Sequence, residues 1–222
     1  IYKIGSDLAC HVPLLKKVAK LGKPIILSTG MCNLEEVQVS VNAIRDQGNE
    51  EIILMHCVSN YPSKIEELNL NSINTLKKEF DIPVGFSDHT IGINTTVAAA
   101  NVGANIVERH FKDPKNSPGP DDIHSLLRKD FEKMINDIRN IEKAMGTGIK
   151  NPTESEKKNL HTNRVSIIAI KEIPKETIIS EDMIDVRRPG TGIQPSEFEK
   201  IIGMKTNQTI KSEKPLTWEM FD

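Results

Sequence analysis

An α/β fold, made of the last five units of a (βα)8 TIM barrel followed by a small mostly-β domain, is what this sequence predicts, on three features. Through residues 1–150, five short apolar runs alternate with five segments of helical period. Each run ends in polar side chains, as strands do where they open onto a shared mouth. Beyond residue 164 the alternation stops, and short β-like runs split by Pro, Gly and Lys-Glu turns replace it.

The first unit is "YKIGS" (2–6), a β-like run, then "VPLLKKVAKLG" (12–22), where Leu14, Leu15, Val18 and Leu21 share a helical face and Gly22 is the stop. The second is "PIILSTG" (24–30), a buried strand by length and β-branching, then "NLEEVQVSVNAIRDQG" (33–48). Asn33 with Glu36 three residues on is a capping-box start, and Leu34, Val37, Val41 and Ile44 fall on one face. The third pairs "EIILMHC" (51–57) with "NSINTLKKEF" (71–80), aligned through Ile73, Leu76 and Phe80. The fourth pairs "IPVGFSDH" (82–89) with the helix "TTVAAANVG" (95–103). The fifth is "NIVERHF" (105–111), then a polar loop and the amphipathic helix 128–146, with Phe131, Met134, Ile138, Ile141 and Met145 inward.

Strand–helix units at steps of about 23 to 31 residues imply parallel strands with helical crossovers. Such strands read as near-continuous apolar runs because both sheet faces are covered. A doubly wound open sheet and a barrel both fit. The polar ends decide between them: Lys3 and Ser6, Ser28 and Thr29, His56 and Ser59, Ser87 and His89, Glu108 and His110. An open sheet gathers only the strands near its switch point, whereas a barrel gathers all five at one mouth. A barrel has eight units, so three are expected before residue 1. The opening "IYKIGSD", without Met, fits that expectation of a piece of a longer protein. The organisation is therefore a partial barrel over 1–150, a polar linker over 151–164 and a small domain over 165–222. So small a domain is expected to dock onto the barrel or a partner chain.

Lys and Arg total 29 against 31 Asp and Glu, scattered rather than clustered, which gives no electrostatic reason to expect nucleic acid or an anionic membrane. The apolar runs are too short to cross a bilayer, and no signal peptide is visible. Cys10, Cys32 and Cys57 lack CxxC spacing and read as reduced thiols in a cytoplasmic protein, packing as small hydrophobes.

A single histidine at a strand end is as readily a satisfied polar residue as a ligand. His89 and His110 are two, on adjacent strands. Neutral imidazoles pointing into one mouth can bind a divalent transition metal. Two protein ligands suit a loosely held ion such as Mn(II). Asp88 and Glu108 read as outer partners of the ligands or as hydroxyl binders, Asp88 otherwise as a turn former. Ser6, Ser28, Ser59 and Ser87, with Lys3, resemble a phosphate cradle of hydroxyl donors and one point charge. No P-loop or GxGxxG is present, so a nucleotide is not indicated. In a barrel, the loop "KNSPGPDD" (115–122) is an active-site loop, and Asp121 can reach a polar substrate.

With "GKPIILSTGM", "HCVSNYPS", "VGFSDHTIG", "VERHF", "PGPDD" and "RRPGTGI" in this order, the chain closely resembles the sialic acid (N-acetylneuraminate) synthases over essentially its whole length. The resemblance implies a barrel fused to a C-terminal SAF, or antifreeze-like, domain. It implies Mn(II)-dependent condensation of phosphoenolpyruvate with N-acetylmannosamine and release of phosphate. His89 and His110 would then be metal ligands, with Glu108 beside them in the catalytic set. Lys3, Ser6, Ser28, Ser59 and Ser87 would hold phosphoenolpyruvate. Tyr61 and Asp121 would contact the amino sugar. Arg188 would reach the N-acyl group from the partner of a domain-swapped homodimer. "SDLACH" (6–11) departs from the family pattern, with Leu8 where many members carry a carboxylate and Asp7 beside it. The family's first three strands, with a catalytic glutamate and a lysine, would precede residue 1.

Three rival readings remain open at this point. Legionaminate and pseudaminate synthases share the barrel and the reaction on a diacetamido-trideoxy sugar. A non-catalytic sugar-binding or assembly protein would bind without releasing phosphate. A Schiff-base aldolase needs a lysine of depressed pKa, and Lys3, the strand-end candidate, is already used by the phosphate reading.

Overall fold

Five parallel strands pair in strict chain order: β1 (Tyr2–Ile4), β2 (Ile25–Ser28), β3 (Ile52–Cys57), β4 (Val84–Asp88) and β5 (Val107–Arg109). The computed structural model describes residues 1–113 and 119–222. Between and after the strands run α1 (Val12–Ala19), α2 (Leu34–Arg45), α3 (Ser72–Phe80), α4 (Asn94–Val102) and α5 (Arg128–Met145). A doubly wound sheet reverses its strand order at a switch point. An order that never reverses keeps every crossover on one face, which is the arc of a barrel.

Strand alternation then sorts the residues. Ile4, Ile25, Leu27, Ile52, Leu54, Val84 and Phe86 join Leu15, Val41, Ile44, Ile73 and Phe80 of the helices in one buried cluster. The intervening residues, Lys3, Ile26, Ser28, Ile53, Met55, Ser87 and Glu108, share the opposite face by register. The helices therefore cover one face, not both, and the strands are half-polar toward their ends for that reason. Gly85 belongs to the inner face: a Cβ there would lie 2.4 Å from Met55 Sδ and 2.8 Å from the Ile106 carbonyl.

Helix ends follow local chemistry. The Asn33 side chain accepts from the Glu36 N–H at 2.9 Å and Glu36 accepts from the Asn33 N–H at 2.8 Å, the reciprocal pair that starts α2. Three of the residues assigned to apolar helix faces are exposed instead, Leu34 in the first turn of α2 among them. Leu21 lies beyond the end of α1 and is exposed, because the chain turns at Gly22 with φ of 63°. Met145, in the last turn of α5, is exposed too, and the burial of that helix rests on Met134 and Ile138.

Contacts divide the chain into Ile1–Thr147 and Gly148–Asp222. The stretch expected as a polar linker carries two short helices, α6 (Glu154–Lys157), opened by a Thr153–Glu156 capping box, and α7 (Leu160–Asn163). The antiparallel pair β6 (Ser166–Ala169) and β7 (Ile184–Arg187), isolated bridges and one short helix, α8 (Phe198–Ile201), complete the second unit. It has its own core, including Ile167, Ile173, Ile184, Ile201, Ile210 and Leu216.

Candidate functional site

Lys3, Ser28, Ser87 and Glu108 form one network on the inner face. The Lys3 ammonium donates to Ser28 Oγ at 2.9 Å and lies 3.4 Å from Glu108 Oε1. Ser87 Oγ donates to the same Glu108 oxygen at 2.7 Å. Beside it, Ser6 and Ser59 share a hydrogen bond at 2.7 Å. Gly30 makes this approach possible, since a Cβ there would sit 2.2 Å from Ser59 Oγ and 2.9 Å from Cys57 Sγ. Five hydroxyl or ammonium donors from four strand ends thus line one strip. Burial pushes the Cys57 thiol up, so it stands among them as an inert wall.

The strip continues into imidazoles. The His89 and His110 rings lie 5.2 Å apart, centroid to centroid. Tyr61 packs 4.0 Å from His89. A third histidine, His124, lies 4.6 Å from His110. Asp121 joins the two: its carboxylate is 3.5 Å from His110 Nδ1 and 3.9 Å from His124 Nε2. One donor atom from each of His110, Asp121 and His124 lies within 4.8 Å of the others. Burial first, then His110 and His124, push His89 down to about 4, and burial and His110 also push His124 down. The lowered His89 and His124 rings are thus neutral at pH 7, the state that ligates metals.

Whether a divalent cation suits this set can be judged from the orphaned atoms. Among the described residues, His89 Nδ1 and both ring nitrogens of His124 are buried with no hydrogen-bond partner. Buried polar atoms without partners are costly. An ion bound by imidazole nitrogen and a carboxylate oxygen would satisfy nitrogens of this kind, so the residues fit the metal.

Asp88 faces the other way. Its side chain and that of Arg109 are both fully buried, 2.8 Å apart. Asp88 also accepts from the Thr90 N–H and from the Thr95 and Thr96 hydroxyls. Arg109 donates to the carbonyls of Thr90, Gly92 and His124. "SDH" and "ERH" thus follow one rule: outer members point to the mouth, and the middle members pair behind it. Asp88 is therefore the anchor behind the wall, bonded to the chain's own hydroxyls rather than placed to bind those of a substrate. His56 also misses the mouth. It bonds the Leu68 carbonyl at 2.7 Å and stacks on Phe86, on the helix-covered face.

Among the predicted site residues, Lys3, Ser28, Ser87 and Glu108 converge in one network, Ser6 and Ser59 stand as a pair beside it, and Tyr61, His89, His110 and Asp121 gather in the imidazole cluster. Residues 115–118 of the predicted active-site loop lie outside the described residues. Asp7 is exposed and folds back over Gly5. Arg188 belongs to the second unit and is exposed, while its neighbour Arg187 is held by Asp185 and Glu213. His124 and Arg109 were not singled out from the sequence. A His three residues after an Asp in the loop beyond a strand end was the available signal for His124.

Residues 1–150 match the NeuB family, and residues 164–222 match the SAF domain. The chain is 41% identical over 216 residues to the N,N'-diacetyllegionaminic acid synthase of Campylobacter jejuni, covering 96% of this chain and 65% of that one. The synthase of the same name from Legionella pneumophila is 37% identical, with 98% of this chain and 62% of that one covered. Among solved structures, the N-acetylneuraminic acid (sialic acid) synthetase of Leptospira borgpetersenii superposes with a TM-score of 0.65 at 34% identity, covering 71% of this chain and 55% of that one. The chain thus spans less than two thirds of the length of these relatives. Among the described residues no helix is long and apolar enough to cross a membrane.

Proposed function

The chain belongs to the NeuB family, and on that premise we propose that it condenses phosphoenolpyruvate with an N-acetylated amino sugar, N-acetylmannosamine, and releases phosphate. One observation carries this reading: a hydroxyl-and-ammonium network and an imidazole–carboxylate cluster share the C-terminal ends of the strands. They meet where Ser87 on β4 and His89 just beyond it stand beside Glu108 and His110.

Lys3 brings the positive charge that a phosphate dianion needs, Ser28, which accepts from Lys3, keeps its own proton to donate, and Ser87 would turn its proton from Glu108 to the phosphate. Ser6 and Ser59 extend the cradle. Glu108 stands between the two halves, where its carboxylate can hold a proton at Oε1 or Oε2 as the phosphate leaves. His89 and His110, with Asp121 and His124, would hold the divalent cation, Mn(II) or a similar ion. When bound, that ion supplies Lewis-acid polarisation of the sugar's carbonyl. Tyr61, beside His89, offers an apolar face and a hydroxyl to the sugar. Arg188 would come from a second copy of the chain to the N-acyl group, which makes a homodimer part of the proposal.

A second reading keeps the reaction and changes the acceptor to a diacetamido-trideoxy hexose. It is supported by the 41% and 37% identity to the two legionaminic acid synthases. The experiment uses the complete reading frame that encodes this chain and follows phosphate release from phosphoenolpyruvate with Mn(II), with and without EDTA. EDTA-sensitive release with N-acetylmannosamine supports the first reading. Release only with the diacetamido sugars selects the second. No release with any sugar overturns both in favour of a binding protein.

A further inference from the structure

The loops after β1 and β2 hold a second donor set that the proposed reaction does not use. Cys10 follows the 3-10 turn Ser6–Leu8, and Cys32 immediately precedes the Asn33 cap of α2. Their Sγ atoms lie 3.7 Å apart. Glu36, in the first turn of α2, completes the group. One donor atom from each of the three lies within 4.8 Å of the others. The capping bond occupies Glu36 Oε2, so Oε1 remains free for a ligand. Cys10 is exposed and Cys32 half-buried, so an ion can enter from solvent.

Two thiols in contact can be plain packing. Two features argue for more. A tetrahedral ion with Zn–S bonds of about 2.3 Å sets its sulfurs about 3.8 Å apart, and the observed 3.7 Å is that edge. A carboxylate beside two thiols is also unfavourable company without a cation.

We propose that Cys10, Cys32 and Glu36 bind one thiophilic divalent ion of the zinc class, with water in the fourth position. Soft thiolate ligands separate this site from the harder, nitrogen- and oxygen-rich cluster at His110. The ion would clip the β1 and β2 loops together. Those loops carry Ser6 and Gly30, which shape one side of the phosphate cradle. The proposal stands independently of the reaction assigned above.

The test is Co(II) titration of the reduced, chelator-stripped full chain, followed by Zn(II). A thiolate-to-cobalt charge-transfer band with intense tetrahedral d–d bands is expected, displaced by one equivalent of zinc. Cys10→Ser and Cys32→Ser each abolish the band and weaken zinc binding by at least about 100-fold, no less than loss of an outer-shell partner would. Glu36→Gln keeps the capping box but weakens binding, which separates ligation from helix capping. His110→Ala leaves the band intact. Absence of the band, its persistence in both serine variants, or alkylation of Cys10 at a rate that zinc does not change would each overturn the proposal.

Discussion

Replacing Asp88 by Asn should cost more stability than any surface change in this chain. The substitution conserves volume and removes one charge. In the native protein, Asp88 Oδ2 receives Arg109 at 2.8 Å and the Thr95 and Thr96 hydroxyls at 2.7 and 2.6 Å, with both charged side chains fully buried. An amide has its carbonyl at only one end, so its NH2 group must meet either these three donors or the Thr90 N–H that Oδ1 accepts, and the guanidinium is left buried without its counterion. Breaking such a pair from one side costs about 3–5 kcal/mol. That is a large share of the 5–15 kcal/mol typical of a folded protein. With a urea m-value of about 2 kcal/mol/M, the unfolding midpoint should fall by about 2 M. Urea titration followed by far-UV circular dichroism measures this. Arg109→Met should cost a similar amount, and the Asp88→Asn/Arg109→Met double variant should cost less than the two added together. A midpoint shift below about 0.5 M for Asp88→Asn, roughly 1 kcal/mol, would refute the reasoning, because water would then be solvating the pair.

Three further outcomes follow from the site. His124→Ala should weaken Mn(II) binding by about 10- to 100-fold, read by electron paramagnetic resonance of free Mn(II); unchanged affinity would return His124 to a packing role. His89 has a folded pKa of about 4 against 6.5 unfolded, so the unfolded chain binds the extra proton and stability falls as pH drops from 6.5 toward 4. At 1.36 kcal/mol per unit that loss reaches roughly 3 kcal/mol, and urea midpoints at pH 7 and 4.5 should show a shallower pH slope in His89→Gln than in the parent. If Arg188 acts across a dimer, two individually inactive variants, His110→Ala and Arg188→Ala, should recover activity on subunit exchange. Random mixing leaves about one site in four intact, and no recovery would place Arg188 outside the partner's site.

Strand positions and most helix faces were legible because burial repeats with a period. Ile25 and Leu27, or Ile52 and Leu54, are apolar for the same reason that Val41 and Ile44 are. The inner-face residues were legible only as residue types. The sequence marks Ser87, Asp88 and His89 as polar, yet period-two alternation assigns the first and last to the mouth and the middle one to Arg109. Applying that alternation to "SDH" and "ERH" would have separated the anchor from the residues that face the mouth. His56 fails by the same parity. It is polar and near a strand end, but its neighbours Met55 and Cys57 hold the inner face. Leu21 and Met145 fail for a different reason: Leu21 keeps the helical period after the backbone has turned away from α1, and Met145 lies in the last turn of α5, beyond the part that Met134 and Ile138 bury.

His124 was beyond any such rule, because no period relates it to His110. The chain passes β5, loops out, and returns so that the Leu126 N–H bonds the His110 carbonyl at 2.9 Å and the Lys112 N–H bonds the Leu126 carbonyl at 3.0 Å. These two bonds set residue 124 beside residue 110, and Arg109 holds the His124 carbonyl from behind at 3.2 Å. The buried ion pair therefore supports both sides of the imidazole cluster, through Thr90 after His89 and through His124 itself. Its cost in desolvated charge is offset where rigidity is needed, because a ring with two orphaned nitrogens keeps its place only if the backbone beneath it cannot relax. That is why the loss of Asp88 should be felt at the imidazole cluster as well as in the unfolding midpoint, although its side chain never faces the mouth.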